Sequence, residues 1–333
     1  MLTRRNATGL LAAALFAGAV PALAEDKVRI ALVVKSLGNG FFDAVRDGGM
    51  EAAKQLGNVE LIYTGPTAAT AEGQISIIND LIAQKVNAIV ISANDPTALV
   101  PSLKKAMERG IKVISFDSGV APEGRIMHLN PSNNALIGSK QVQMMSATLK
   151  GEGEFAILSA TAQATNQNIW IEEMKKELAK PAYSKLKLVS TVYGDDQADK
   201  SYREMQGLIK AFPNLKGVIC PTSVGIVAAA KAVEDAKLVG KVFVTGLGLP
   251  SEMKGHVLSG ATETFAIWNP IDLGYSSVMI AAMIVAGKAT GGAGTEVDAG
   301  RMGKIKIGPD AQAAMSDPFT FDKTNIEQFS KIF

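Results

Sequence analysis

At 333 residues the chain exceeds what one hydrophobic core usually organises, so two domains are the default. Its 34 Lys and Arg against 32 Asp and Glu give a formal charge of +2, too even a balance for the clustered cations that nucleic acid or an anionic membrane surface requires. The single cysteine, Cys220, excludes an intrachain disulfide and, in its apolar context, reads as a small buried hydrophobe.

In chain order, Arg4 and Arg5 come first, ahead of an apolar run at 10–20 that ends in Pro21-Ala22-Leu23-Ala24. A charged start, a short apolar run and an A-x-A site are the parts of a secretory signal peptide, so 1–24 is read as a leader. The run is shorter than the roughly 20 residues of a membrane span, and no cysteine follows the cleavage site to take a lipid. General secretory export is preferred; the surroundings of the arginine pair fit twin-arginine export poorly. Cleavage removes both cations and leaves 32 against 32. The protein is then expected to work outside the cytoplasm.

Short apolar runs then alternate with amphipathic helical patterns. Strands are predicted at 28–34, 59–63, 88–92, 112–116, 154–159, 186–192, 217–220, 241–246 and 263–268. Helices are predicted at 42–56, 71–84, 96–109, 133–149, 166–179, 200–211, 225–236 and 270–286. The strand runs are nearly continuously apolar, as in a parallel sheet covered on both faces. Repeated β-α units with right-handed crossovers give doubly wound sheets. The repeats fall into two sets, about 28–129 and 131–262, followed by the apolar helix at 270–286 and a strand and short helix within 319–333. The stretch at 276–286 suits a buried helix better than a membrane span. Gly291-Gly292-Ala293-Gly294 reads as a surface loop.

The carboxyl ends of the strands carry a patterned set of polar and aromatic residues, where open α/β sheets place ligands. The first strand leads into Lys35, Asn39, Phe41 and Phe42; the third into Ser92, Asn94 and Asp95; the fourth into Asp117 and Ser118. In the second half the ends supply Thr161, Gln163, Asn166, Gln167 and Asn168, then Pro221 and Ser223, then Leu247, and last Trp268 and Asn269. Carboxylates accept from paired hydroxyls, amides both donate and accept, and aromatic faces cover the C–H patches of a sugar ring. A neutral polyhydroxylated ligand fits this set. Bland readings stand beside it. Asp95, Asp117 and Asn166 suit helix caps, with capping preferred for Asp95. Phe41 and Phe42 suit a core, and Lys35 either snorkels to solvent or meets an oxygen in a cleft.

Catalytic patterns are missing. His128 and His256 lie near no recognisable nucleophile, and no G-x-S-x-G, H-E-x-x-H or P-loop occurs. The letters G-x-G-x-x-A at 151–156 precede a strand, so they fail as a dinucleotide site. No Cys/His cluster suits a transition metal, and Gly194-Asp195-Asp196 reads as a solvated turn rather than a calcium loop. No catalytic residue, metal or cofactor is expected.

With these residues in hand, the chain resembles the periplasmic sugar-binding proteins of the ribose-binding type, from the end of the leader to the C-terminus. Asn39-Gly40-Phe41-Phe42 with Ala52-Ala53 looks like that family's N-N-P-F-F segment and first helix, Phe116-Asp117-Ser118 like its F-D motif, and Gly274 after Asn269-Pro270 like its third hinge-side helix. The subgroup that binds rhamnose or the autoinducer-2 sugar is more similar still, through VVKSLGNGFF, YTGPTAATAEGQ, ISFDS, ATNQNIW, CPTSVG and FTFDKTNI. That resemblance implies ligand contacts at Lys35, Asp117, Asn166, Gln167, Pro221 and Ser223. Position 166 is Asn where the autoinducer-2 binders have Asp, and 223 is Ser where they have Ala. Ser118 replaces the ribose binders' arginine, and ATAQATNQN, GLGLPSEM and FAIWNPIDLGY look most like rhamnose binders.

The resemblance implies a type I periplasmic binding protein: an α/β fold of two doubly wound parallel-sheet lobes joined by three hinge crossings, near 129–132, 262–266 and 315–321. The N-terminal lobe would be 25–130 plus 265–318, the C-terminal lobe 131–264 plus 319–333. Lys35, Asn39, Phe41, Phe42 and Asp117 would face Asn166, Gln167, Asn168, Pro221 and Ser223, with Trp268 and Asn269 nearer the hinge and Leu247 a further ligand contact. The lobes would close on a small neutral sugar, L-rhamnose before autoinducer-2, and a monomer would deliver it to an ABC-transporter membrane permease. A secreted enzyme using Asp95 and Asp117 and a LacI-like regulator stay open as alternatives. The regulator would need a DNA-binding module where the leader stands.

Overall fold

In the computed structural model, which describes residues 27–333, the chain builds two parallel sheets whose carboxyl edges face each other. The leader expected at 1–24 lies outside the described residues. The first set of elements is β1 (Val28–Val33), α1 (Gly40–Leu56), β2 (Val59–Thr64), α2 (Ala71–Ala83), β3 (Ala88–Ile91), α3 (Val100–Glu108), β4 (Lys112–Phe116) and β5 (Met127–Asn130). The second set is α4 (Asn134–Thr148), β6 (Gly153–Ser159), α5 (Thr165–Leu178), β7 (Leu186–Tyr193), α6 (Ala198–Ala211), β8 (Leu215–Cys220), α7 (Ser223–Asp235), β9 (Phe243–Gly246), α8 (Pro250–Ser259) and β10 (Phe265–Ile267). The chain ends with α9 (Pro270–Val285), a hairpin of β11 (Glu296–Asp298) and β12 (Lys304–Lys306), then β13 (Gln312–Ala314), β14 (Phe319–Phe321) and α10 (Ile326–Phe329).

The first sheet runs β13-β5-β4-β3-β1-β2, parallel throughout. Its order reverses between β1 and β3. The second runs β7-β6-β8-β9 and reverses between β6 and β8. Each reversal opens a crevice beyond the carboxyl ends of its strands, because successive helices leave toward opposite faces. β3 is buried at every position, as are the last four residues of β1. That is why these strands read as unbroken apolar runs.

β10 belongs with the second sheet. Ala266 bridges Leu247 just past β9, and β14 pairs with β10 antiparallel. The chain therefore passes between the sheets at 130–134, 267–270 and 314–319, and the second passage falls after 262–266 because 265–267 is still held by the second sheet's edge. After it, α9 packs on α1 of the first. Gly48 and Gly274 face the other helix so closely that a Cβ at either would lie within 2 Å of a carbonyl oxygen, Ile271 O or Val45 O.

Some elements depart from the sequence pattern for local reasons. The helix expected from 96 begins at Val100, because the Asp95 carboxylate caps the preceding turn, accepting from the Thr97 and Ala98 N–H groups at 2.8 Å. α8 starts with Pro250 in its first turn, a position suited to a residue without an N–H. β5 and β11 to β13 have three or four residues each, too few for a periodic signal. α9 is buried along most of its length. No helix among the described residues is long and apolar enough to cross a membrane.

Candidate functional site

The cleft between the two carboxyl edges begins with Lys35, two residues beyond β1. Six residues separate β1 from α1, and Asn39 closes that turn by accepting the Phe41 N–H at 3.0 Å as the helix cap. The cap fixes the direction of α1 and sets Phe41 and Phe42 at its first turn, where both are buried. Asp117 follows β4 with φ of 55°, a left-handed conformation that Asp tolerates better than most residues. It caps no helix. Its Oδ2 accepts from Ser92 Oγ at 2.7 Å, which ties together the ends of β3 and β4.

From the second lobe, Asn166 and Gln167 open α5. Gln167 Oε1 accepts from Ser159 Oγ at 2.6 Å and from the Ala160 N–H at 2.8 Å, which locks its amide to the end of β6. Asn166 reaches across the cleft: its Nδ2 donates to Asp117 Oδ1 at 2.9 Å, and its Oδ1 accepts from Lys35 Nζ at 3.1 Å. Lys35 Nζ also lies 4.0 Å from Asp117 Oδ2, with both side chains buried. Ser223 Oγ makes a long contact of 3.5 Å to Asn39 Oδ1.

Burial pushes the Asp117 carboxyl above the ordinary carboxylate range, while Lys35, Ser92 and Asn166 pull it back. Asp196, after β7, is raised for the same first reason and is likewise opposed by Lys35, then by Thr222, whose hydroxyl donates to its Oδ1. One buried cation thus serves two carboxylates.

The opposite wall is aromatic. Phe41 meets Phe42 edge-on at 5.2 Å and Trp268 at 6.1 Å, and Trp268 meets Trp170 at 5.6 Å. Trp170 Nε1 donates to Asn134 Oδ1 at 2.8 Å. Trp268 Nε1 is buried without a partner among the described residues, so this wall holds one uncommitted donor. The cleft encloses about 390 Å³ of empty space, part of it open to solvent.

Of the residues the sequence singles out, Lys35, Asn39, Phe41, Phe42, Asp117, Asn166, Gln167, Pro221, Ser223, Leu247 and Trp268 line this cleft. Two do not. Asn168 turns to the Ala162 carbonyl at 2.8 Å, since one helical step past Gln167 carries it off the cleft face of α5. Asn269 caps α9, accepting the Ile271 N–H at 2.9 Å and donating to Asp272 Oδ2 at 2.8 Å. Asn-Pro followed by an acid is an N-terminal signature, and here it marks a cap.

Trp170, Asp196, Thr222 and Ile267 also line the cleft and are absent from the sequence-based set. Trp170 was findable, being one turn after Asn166 and Gln167 on the same helix face. The sequence reads Asp196 as part of a solvated turn, whereas the structure places it at the cleft. Asp95 stays in its capping role. His256 pairs with Glu234 away from the cleft, and His128 is buried behind it. Burial pushes the Cys220 thiol far up. Among the described residues no group of three or more His, Cys, Asp or Glu is placed to hold a metal ion.

The family described as Periplasmic binding protein domain matches residues 30–289. The D-ribose/D-allose-binding protein of Pseudomonas aeruginosa is 30% identical over 259 residues, covering 74% of this chain and 80% of that protein. An ABC transporter solute binding protein from Clostridium phytofermentas, solved with bound L-rhamnose, is 35% identical with a TM-score of 0.89, covering 92% of this chain and 99% of that one. LsrB from Clostridium saccharobutylicum, in complex with AI-2, has a TM-score of 0.86 at 23% identity and covers 91% of this chain and 99% of that one. At that identity the likeness is one of fold.

Proposed function

The chain belongs to the periplasmic binding protein family, and from that premise we propose that it captures L-rhamnose, or a close deoxyhexose, between its two lobes and presents it to the permease of an ABC importer. Its relatives are sugar-binding proteins of ABC transporters rather than enzymes, and the chain is a sugar-binding member of that kind. The rhamnose reading, export through the leader at 1–24 into the periplasm, and action as a monomer are our inferences.

The division of the cleft into two walls carries the reading. Phe41, Phe42, Trp170 and Trp268 form one; Lys35, Asp117, Asn166, Gln167 and Asp196 form the other. A deoxyhexose is amphipathic in the same sense, with a methyl group and C–H faces for the rings and hydroxyls for the charged wall. The solved relative with bound L-rhamnose supports the choice.

The energetics are undemanding. Micromolar binding needs about 8 kcal/mol, or roughly 0.7 kcal/mol for each of about 11 non-hydrogen atoms, below the ceiling of about 1.5 for small ligands. Closure removes water from the polar wall and strengthens the bonds made there. The sugar stabilises the closed form only as far as it binds that form better than the open one.

A second reading, autoinducer-2, has the Lys35 and Asp117 pair in its favour. Against it stands Asn166, which donates to Asp117 and accepts from Lys35 at once. An ionised Asp at that position cannot donate to Asp117. A thermal-shift screen against L-rhamnose, L-fucose, D-ribose, D-xylose and autoinducer-2 separates the readings. We expect L-rhamnose to raise the unfolding midpoint most, by an amount equivalent to about 2.7 kcal/mol at 100 times its Kd. A shift with D-ribose alone would overturn the deoxyhexose reading, and a dominant shift with autoinducer-2 would favour the second.

A further inference from the structure

We propose that Asp196 is a sugar-contacting residue that sets the preference for uncharged polyols over sugar acids, an inference that rests on the cleft being the sugar site. Asp196 lies where β7 gives way to α6, in a loop clamped to the neighbouring strand: the Gly194 N–H bonds Ser159 O and the Asp195 N–H bonds Ala160 O, both at 2.9 Å. Ser159 and Ala160 are the residues that orient Gln167, so the loop and the amide are held by one strand end. Gly194 itself has no room for a side chain, since a Cβ there would lie 2.0 Å from Ser201 Oγ.

The backbone turns back at this point. Asp196 has φ of 52° and Asp117, its counterpart on the facing lobe, has φ of 55°. The two cleft carboxylates thus share a left-handed conformation that most residues avoid. Asp196 uses one carboxylate oxygen to accept from Thr222 Oγ1. The other has no protein donor among the described residues, although the side chain borders the cleft. A carboxylate that borders the cleft with one oxygen committed and the other free of protein donors among the described residues can accept from a ligand hydroxyl, and such charge-assisted bonds are roughly twice as strong as neutral ones.

The charge count gives the specificity. Among the described residues Lys35 is the sole cation lining the cleft, and it is opposed by both Asp117 and Asp196. A ligand that brings its own carboxylate or phosphate adds a third negative group where desolvation strengthens repulsion. Like-charge juxtaposition of this kind rejects a competitor without any added contact to the preferred ligand.

Asp196→Asn keeps the oxygen that accepts from Thr222 and removes the charge. Calorimetric titration of the purified protein with L-rhamnose, D-ribose and D-allose first identifies a neutral probe; if none binds, the sugar reading itself falls before any variant is made. The wild type should bind the probe and reject L-rhamnonate, the carboxylate of the rhamnose skeleton, by at least 100-fold relative to L-rhamnose or the chosen probe. Binding of L-rhamnonate within tenfold of the probe would overturn the proposal without recourse to a variant. D196N should lose at least tenfold in affinity for the neutral probe and narrow the gap to L-rhamnonate by at least tenfold, with its sugar-free unfolding midpoint unchanged. A smaller change in either quantity would show that Asp196 only shapes the loop.

Discussion

Lys35 stands where the polar walls of the two lobes meet, and its charge is what allows a carboxylate at Asp117 to stay buried. Because burial raises the Asp117 pKa, the folded state holds that proton more tightly than the unfolded chain does. The resulting contribution is present at low pH and is lost as the pH rises through the raised value, and Lys35 limits the loss. Replacing Lys35 with Met should therefore cost about 3 kcal/mol at pH 7, the scale for breaking a buried pair from one side. The cost should shrink toward zero below the ordinary Asp range, where the carboxyl is protonated in both states. Urea unfolding of K35M and wild type at pH 7 and about pH 2.5 reads this directly. An equal difference at both pH values would mean that Lys35 acts through packing rather than charge.

Among the elements, the pair α1 and α9 decides where the aromatic wall stands, because α1 carries Phe41 and Phe42 and α9 follows directly on Trp268. A Cβ at Gly274 would lie 1.9 Å from Val45 O, and a backbone carbonyl cannot swing aside as a side-chain end can. Gly274→Ala should push the helices apart, cost about 1–3 kcal/mol and weaken sugar binding as well. Gly207→Ala is the control. It lies inside α6 with nothing within 4 Å, so it should gain about 0.5–1 kcal/mol. Thermal unfolding with and without sugar checks both, and a neutral Gly274→Ala would show that the helices can slide.

The same scale explains what the sequence disclosed. Strands buried on both faces announce themselves as apolar runs, and some of the polar residues just beyond them, Lys35 and Asp117 among them, line the cleft. Asn168 and Asn269 lie outside the cleft although both follow strand ends, because helix phase and capping geometry, not polarity, decide where an amide points. Asp196 lay hidden because Gly-Asp-Asp looks like any solvated turn until β7 and β8 are paired through β6. The short strands β5 and β13 depend on a pairing between residues 182 or more positions apart in the chain, which no local pattern records.

For the whole molecule, what matters is how three passages are tied into one hinge, and Asn130 does much of this. At the end of β5 its Nδ2 donates to Gln312 Oε1 at 3.0 Å and to Ala313 O at 3.3 Å, joining the first passage to the strand before the third. Its Oδ1 accepts from Asn134 Nδ2 at 3.3 Å, and Asn134 in turn holds Trp170 at the cleft. His128 completes the cluster, with Nε2 3.1 Å from Asn130 Oδ1 and Nδ1 2.9 Å from Ser115 Oγ. That pattern fits the neutral ring, with Nε2–H donating to Asn130 and Nδ1 accepting from Ser115. Burial first, and then the Arg125 charge, lower the His128 pKa to about 4 from 6.5. A depressed histidine contributes stability that is present above its unfolded pKa and is lost as the pH falls from about 6.5 to about 4. The loss amounts to about 3 kcal/mol once the pH is below both values. His128→Gln removes the titrating group, so the difference in unfolding free energy between wild type and H128Q should narrow by about that amount between pH 7 and pH 4. Taking the difference cancels the opposing slope from Asp117. A parallel pair of pH profiles would mean that the hinge accommodates a charged His128, and that the acid sensitivity of the fold arises elsewhere.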